Sequence, residues 1–248
     1  MKKIVLTLLK DEKRRADLKV KFPFSYNFFN FFYAFDRNIA QQYRENYHVK
    51  KMMTLSEVSC SLGHLEILDN FLESLQKAIF ILEDDIIGND DDLMRIDSLV
   101  NDLKGEFILF VGGLDGLKGR KSLYGTIIDD NQKIYKIPHI YHSYIARTCC
   151  YIVTRGIAAK ISKKQHKFLD YADNWGQLLD AEDNVFFCEI LQHPIDLSDS
   201  HIEVERLNAR GQGLISKLLK VGIFVSLYWI FRKFFTRIIA LLLRYRKI

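Results

Sequence analysis

The sequence predicts an α/β fold: one domain over residues 1–205, built on a mostly parallel central sheet flanked by helices, and a basic amphipathic helical tail over 206–248. Three observations lead there. Short aliphatic runs alternate with segments of helical period over roughly 200 residues, the pattern of strand–helix repeats. One run, Ala78–Leu82, is apolar at every position, as a central strand covered on both faces must be. Charge is also split. Of 36 Lys and Arg, ten fall from Arg206 onward, where Asp and Glu are absent, which leaves 26 bases against 31 acids in the body.

The elements follow in order. Lys3–Leu9 is a buried strand, Asp11–Lys21 a short charged helix and Phe28–Ala34 a second strand. Thr54-Leu55-Ser56-Glu57 has the spacing of a capping box and starts a helix that runs to about Leu75, with Leu62, Leu65, Leu68, Phe71 and Leu72 as its apolar stripe. After the Ala78–Leu82 strand, Asp90, Asp91 and Asp92 cap a helix to about Asn101. Glu106–Val111 is a further strand closed by Gly112-Gly113, and a polar loop runs from Asp115 to about Thr126. Lys133–Pro138 and Tyr141–Val153 read as strands, Thr154 as the cap of a helix through Ile161, and Ala181–Leu191 as a helix.

Composition narrows the class. A chain of 248 residues with 48% hydrophobic content and mixed charge buries a full core and is not disordered. The four cysteines, Cys60, Cys149, Cys150 and Cys188, lack Cys-x-x-Cys spacing, so reduced thiols and a cytoplasmic setting are expected. The opening MKKIVLTLL regains charge at Lys10 and is too short for a signal-peptide core. The longest charge-free apolar stretch, Val221–Phe231, falls well short of the ~20 residues of a membrane span.

The chemistry concentrates at Glu83-Asp84-Asp85, just past the Ala78–Leu82 strand. Open α/β sheets bind ligands beyond the carboxyl ends of their strands. If extended geometry persists, residues 83 and 85 share one side and 84 faces the other. Two carboxylates on a rigid strand suit a hard cation, Mn²⁺ or Mg²⁺, whose shell phosphate oxygens complete. Such an ion would stabilise a departing diphosphate. The alternative is a solvated acidic turn capping the next helix.

The run MTLSEVSCSLGHLEIL, with AIFILEDDI following it, resembles glycosyltransferase family 25, the lipopolysaccharide and lipooligosaccharide galactosyltransferases. Glu57, Cys60, His64, Glu83, Asp84 and Asp85 match the family pattern, whereas Ser56 and Ser59 replace its glycines and Gly63 its serine. VLTLLKDEKRR resembles the family's first strand and its Arg-Arg, here Arg14 and Arg15. RTCCYIVTRGIAAKI resembles the segment before its late helix, and Asp173-x-Trp175 a downstream acidic motif. The resemblance spans roughly residues 1–200. It implies a GT-A-like fold, a UDP-hexose donor (usually UDP-galactose), a divalent cation and inversion at the anomeric carbon.

Inversion needs a carboxylate to take the acceptor's proton. Asp173 is the first choice for this base, with Glu182 and Asp183 as substitutes. Glu83 and Asp85 are the expected metal ligands, and His193 and His201 are candidates for a third. Arg14, Glu57, His64, Asp84, Gly112 and Gly113 are the expected donor-binding residues. Each has a structural alternative: surface charge for Arg14 and Arg15, capping for Glu57, a satisfied buried ring for His64 and a simple turn for the two glycines. Cys60 reads as a small core residue.

In the tail, apolar and aromatic residues interleave with Lys and Arg, which describes an interfacial helix on an anionic leaflet rather than a nucleic-acid-binding arm. The alternative is a helix packed on the body or on a second subunit. The combined expectation is a hexosyltransferase on the cytoplasmic face of the inner membrane that extends a lipid-linked glycan. Its rivals are a metal-dependent phosphodiesterase or nucleotidyltransferase and a catalytically inactive glycan-assembly factor.

Overall fold

The structure is a computed structural model that describes residues 1–117, 119–196, 202, 203, 205, 206 and 231–248. Strands β1 (Lys2–Thr7), β2 (Phe29–Tyr33), β3 (Ala78–Glu83), β4 (Phe107–Gly112), β5 (Tyr124–Asp129), β6 (Ile134–Lys136), β7 (Cys150–Thr154), β8 (Asn184–Leu191) and β9 (Arg246–Lys247) form one sheet in the order β2-β1-β3-β7-β4-β8-β6-β5-β9. The helices are α1 (Glu12–Lys21), α2 (Arg37–Asn46), α3 (Leu55–Glu73), α4 (Asp90–Asp102), α5 (Arg155–Lys167) and the short α6 (Trp175–Leu178), with a further helix at 231–242.

Alternation along the central strands builds two cores. Ile79 and Ile81 of β3 join Ile4, Leu6 and Tyr151 against α3 and α5, while Phe80 and Leu82 join Val5, Leu109 and Ile152 against α1 and α4. Because both faces are covered, β3 reads as a continuous apolar run, as its sequence predicts.

The sheet is mixed, which corrects the expectation of a mostly parallel one. β1 runs parallel to β2 and β3, and β4 parallel to β8, but β7 enters between β3 and β4 antiparallel to both. The outer strands β6, β5 and β9 are antiparallel as well. The reason lies in the connections. Between β4 and β7 the described residues form a hairpin and short 3₁₀ turns but no α-helix, so no parallel crossover is made there.

Three elements also differ. Asn184–Leu191 is strand β8, not a helix; its Val185-Phe186-Phe187-Cys188 run is buried on both faces and lacks the period that would tell strand from helix. Tyr141–Val153 divides into a 3₁₀ turn, His139–Tyr144, and β7. Helix α2 carries no predicted element in the sequence; Asp36 caps it by accepting from the Asn38 and Ile39 amides. The capping box at Thr54/Glu57 forms; α4 is capped by Asn89, one residue earlier than expected, in a capping box with Asp92, while Asp90 and Asp91 lie in the helix's first turn.

Candidate active site

The carboxyl ends of β1 and β3 lie side by side, Leu6 opposite Glu83, and the Glu83 amide donates to the Cys149 carbonyl just ahead of β7. Beyond this edge opens a cleft of about 1890 Å³ that draws on β1, α1, α3, β3, the segment before β7 and residues 171–173. Glu83, Asp84, Asp85, Arg14, Glu57 and Asp173 all line it.

The acidic triplet is divided by strand parity. Glu83 is the last residue of β3 and, like Ile79 and Ile81, faces α3, where its Oε1 lies 3.6 Å from His64 Nε2 and accepts from the Thr148 hydroxyl at 2.5 Å. Asp84 turns to the α1 side. Its Oδ2 accepts from Thr7 Oγ1 at 2.5 Å and its Oδ1 from Arg14 at 3.0 Å. The extended geometry stops at Glu83, so Asp85 sits in the following turn, 3.6 Å from Arg14 and 3.5 Å from His193 Nε2.

The three carboxyls titrate differently. Burial pushes Glu83 up, but the adjacent His64 ring and the Thr148 hydroxyl outweigh it and hold the group below its ordinary value. Burial raises Asp84 against the opposing bonds from Thr7 and Arg14. Asp85 is raised by burial and then by the charge on Glu83. Its Oδ1 is buried without a hydrogen-bond partner, and Nδ1 of His193 is engaged with the Pro194 carbonyl at 2.7 Å, so Nε2 is the ring atom turned to Asp85. Asp85 and His193 are therefore the paired groups with capacity left over for a cation.

Asp173 lies across the cleft. Its Oδ2 accepts the Arg147 amide at 3.0 Å, and Arg147 is pinned in the left-handed region (φ 69°) by its guanidinium on the Gly113 and Asp115 carbonyls and by the Trp175 indole on its own carbonyl. Glu182 and Asp183 do not line the cleft; Lys160 and the Asp180 amide hold Asp183 elsewhere.

The remaining candidates separate into those in the cleft and those that shape it. Glu57 completes its capping box and also accepts from Arg206 at 2.6 Å. His64, 4% exposed, bonds Tyr151 through Nδ1 at 3.0 Å. Arg15 is spent on the Leu8 and Leu9 carbonyls and the Tyr33 ring. Gly112 and Gly113 lie outside the cleft lining. A Cβ on Gly112 would meet the Leu191 carbonyl oxygen at 1.7 Å, and one on Gly113 the Cys149 sulfur at 1.9 Å, so both serve close packing of the sheet's edge. His201 lies outside the described residues.

Thr7, Arg147, Thr148, Tyr151 and Arg206 were not singled out by the sequence reading, yet all touch the candidate residues. Their sequence trace is position: Thr7 ends β1, and Arg147, Thr148 and Tyr151 fall in the RTCCYIV segment that leads into β7. Arg206, grouped with the tail on composition, reaches into the cleft, where Glu205 also accepts the Ser56 amide.

No curated protein matches the chain. Among solved structures, the crystal structure of A197 from STIV is similar at 16% sequence identity and a TM-score of 0.46, over 79% of this chain and 87% of that one. The family model of glycosyltransferase family 25 (LPS biosynthesis protein) matches residues 1–177, a stretch that takes in the acidic triplet, the α3 residues before it and Asp173. The chain belongs to glycosyltransferase family 25, whose members are glycosyltransferases of lipopolysaccharide biosynthesis.

Proposed function

We propose that this chain is an inverting hexosyltransferase that moves a sugar, galactose in the first instance, from a UDP-hexose onto a lipooligosaccharide or other lipid-linked glycan at the cytoplasmic face of the inner membrane. The observation that carries the reading is the convergence of Glu83, Asp84 and Asp85 at the carboxyl edge of the sheet, in one cleft with Asp173. A divalent cation fits this edge: Asp85 offers a buried oxygen without a partner, His193 Nε2 faces its other oxygen at 3.5 Å, and the charge on Glu83 acts on the same carboxyl. Glu83 and Asp85, with His193, would hold Mn²⁺ or Mg²⁺, and the bound ion would neutralise charge on the departing diphosphate.

The chain's own residues divide the remaining work. Asp84, tied down by Thr7 and Arg14, holds the Arg14 guanidinium at the cleft wall, where the donor's diphosphate would find positive charge. The Arg147 amide fixes one oxygen of Asp173 and so sets the direction of the other. In this reading Asp173 takes the proton of the acceptor hydroxyl as that oxygen attacks the anomeric carbon opposite the leaving UDP. Glu57 and Arg206, paired along the α3 side of the cleft, supply polar partners for sugar hydroxyls.

UDP release from a panel of UDP-sugars, with and without lipooligosaccharide and with Mn²⁺ or Mg²⁺, tests the proposal. Acceptor-stimulated, metal-dependent release is expected from one donor. Asp173→Asn should lower kcat by about 10²–10⁴-fold, the usual contribution of a general base, and Asp85→Ala should remove the metal dependence. Absence of UDP release from every donor would overturn the proposal, and acceptor-independent cleavage of simple phosphodiesters would replace it with the phosphodiesterase reading.

A further inference from the structure

Glu83 has a second set of neighbours besides Asp85. Helix α3 presents Cys60 and His64 four residues apart, hence on one face, and that face meets the end of β3. Among the described residues, Cys60, His64 and Glu83 are the one group of three whose donor atoms all lie within 4.8 Å of one another. Tetrahedral coordination with metal–ligand bonds of about 2.0–2.3 Å has ligand–ligand edges of roughly 3.3–3.8 Å. The His64 Nε2 to Glu83 Oε1 separation, 3.6 Å, already falls in that interval.

The second observation concerns His64 itself. Its Nε2 is buried and has no hydrogen-bond partner, an expensive state for a ring nitrogen. Nδ1, by contrast, is engaged by the Tyr151 hydroxyl at 3.0 Å. Metal-ligating histidines show this asymmetry: an outer partner fixes one nitrogen and leaves the other aimed at the ion. The Thr148 hydroxyl orients the Glu83 carboxylate in the same way. Cys60 and Glu83 both line the cleft, so a fourth position would open to it.

We infer that Cys60 Sγ, His64 Nε2 and a carboxylate oxygen of Glu83 form a binding site for a divalent cation of borderline softness, Zn²⁺ or its spectroscopic substitute Co²⁺, with the fourth position facing the cleft. A thiolate in the donor set selects against Mg²⁺ and favours such an ion. On entry the ion displaces the Cys60 proton, so binding releases acid and strengthens with pH. The inference does not depend on sugar transfer. Glu83 is common to this site and to the one proposed at Asp85, so ions at the two positions compete for it, and Asp85 tells them apart.

Cobalt titration of the metal-stripped, full-length chain tests the site without any substrate. One Co²⁺ per chain should bring in a near-ultraviolet thiolate-to-cobalt charge-transfer band together with the visible bands of a tetrahedral ion, and Zn²⁺ should bleach both. Cys60→Ser should abolish the charge-transfer band. Tyr151→Phe, which removes only the outer partner, should weaken binding about 10–100-fold, and Asp85→Asn should leave the spectrum unchanged. Circular dichroism checks that each variant folds, and the wild-type spectrum stands without them. Cobalt bound with no thiolate band, a band that survives Cys60→Ser, or one lost in Asp85→Asn would each overturn the assignment. Failure of UDP release would leave this result untouched.

Discussion

Glu83 and Asp85 are two residues apart and titrate in opposite directions, Glu83 below its ordinary value and Asp85 above it. For Asp85 the sign follows from linkage. A carboxyl raised in the folded state contributes stability below its unfolded pKa of about 3.9 and loses it as pH rises through the folded value. At pH 7 the ionised Asp85, with one buried oxygen unpartnered, therefore opposes folding. Asp85→Asn should raise the Tm at pH 7 while lowering sugar transfer, and the gain in Tm should shrink to nothing by about pH 4. Thermal melts of both proteins from pH 4 to 8 check this; an unchanged or lower Tm at pH 7 would show that Asp85 is not held at a stability cost. Much of this site could be read beforehand. Strand parity foretold that Glu83 and Asp84 face opposite sides. It could not foretell that the strand ends at Glu83, nor that Thr148 and Tyr151, far along the chain, supply the bonds that aim Glu83 and His64.

Among the elements, β3 and α3 were legible because each carries a strong local signal: an unbroken apolar run in one, a capping box and a stripe of leucines in the other. β8 was not. Burial on both faces removes the period that separates strand from helix, and its parallel pairing with β4 is a tertiary fact. The same pairing accounts for Gly112. The register between β4 and β8 shifts from Phe110 to Gly112, which there adopts φ 135° and lies against the Leu191 backbone. Gly112→Ala would add a Cβ 1.7 Å from the Leu191 carbonyl oxygen in a conformation that alanine avoids. Urea unfolding should register a loss of about 3 kcal/mol or more, since strain and a backbone clash act together. A loss under about 0.5 kcal/mol, the size of a neutral surface change, would mean that the β4–β8 edge shifts freely. Because His193 lies two residues past the end of β8, the variant should also loosen the Asp85–His193 pair.

At the scale of the whole molecule, the split between an acidic body and a basic end takes a definite form in helix 231–242. The helix docks by its small residues: Thr236 and Ala240 are buried, the Tyr141 hydroxyl donates to the Thr236 carbonyl, and Arg232 lies over the Tyr144 ring. Its large residues point the other way, with Phe231, Phe234, Phe235, Leu241 and Leu242 all more than half exposed. Lys233, Arg237 and Arg244 are exposed beside them. The sequence announced the apolar and basic content, but not which face packs, because Thr and Ala leave no hydrophobic signal. None of the described helices is long and apolar enough to cross a membrane. An apolar face rimmed by cations suits the surface of an anionic bilayer, where each basic side chain adds about 1 kcal/mol, and where a lipid-linked acceptor would reside. Full-length protein should co-sediment with vesicles of mixed phosphatidylcholine and phosphatidylglycerol but only weakly with phosphatidylcholine alone, and added salt should release it. Changing Phe234, Leu241 and Leu242 together to serine should abolish co-sedimentation without altering the circular dichroism spectrum, because all three side chains leave the body's packing untouched. Equal binding to neutral and anionic vesicles, or binding that survives the triple change, would rule out this face as the membrane contact. Concentration-dependent dimerisation lost in the same variant, with no vesicle binding by the parent, would assign the face to a second copy of the chain.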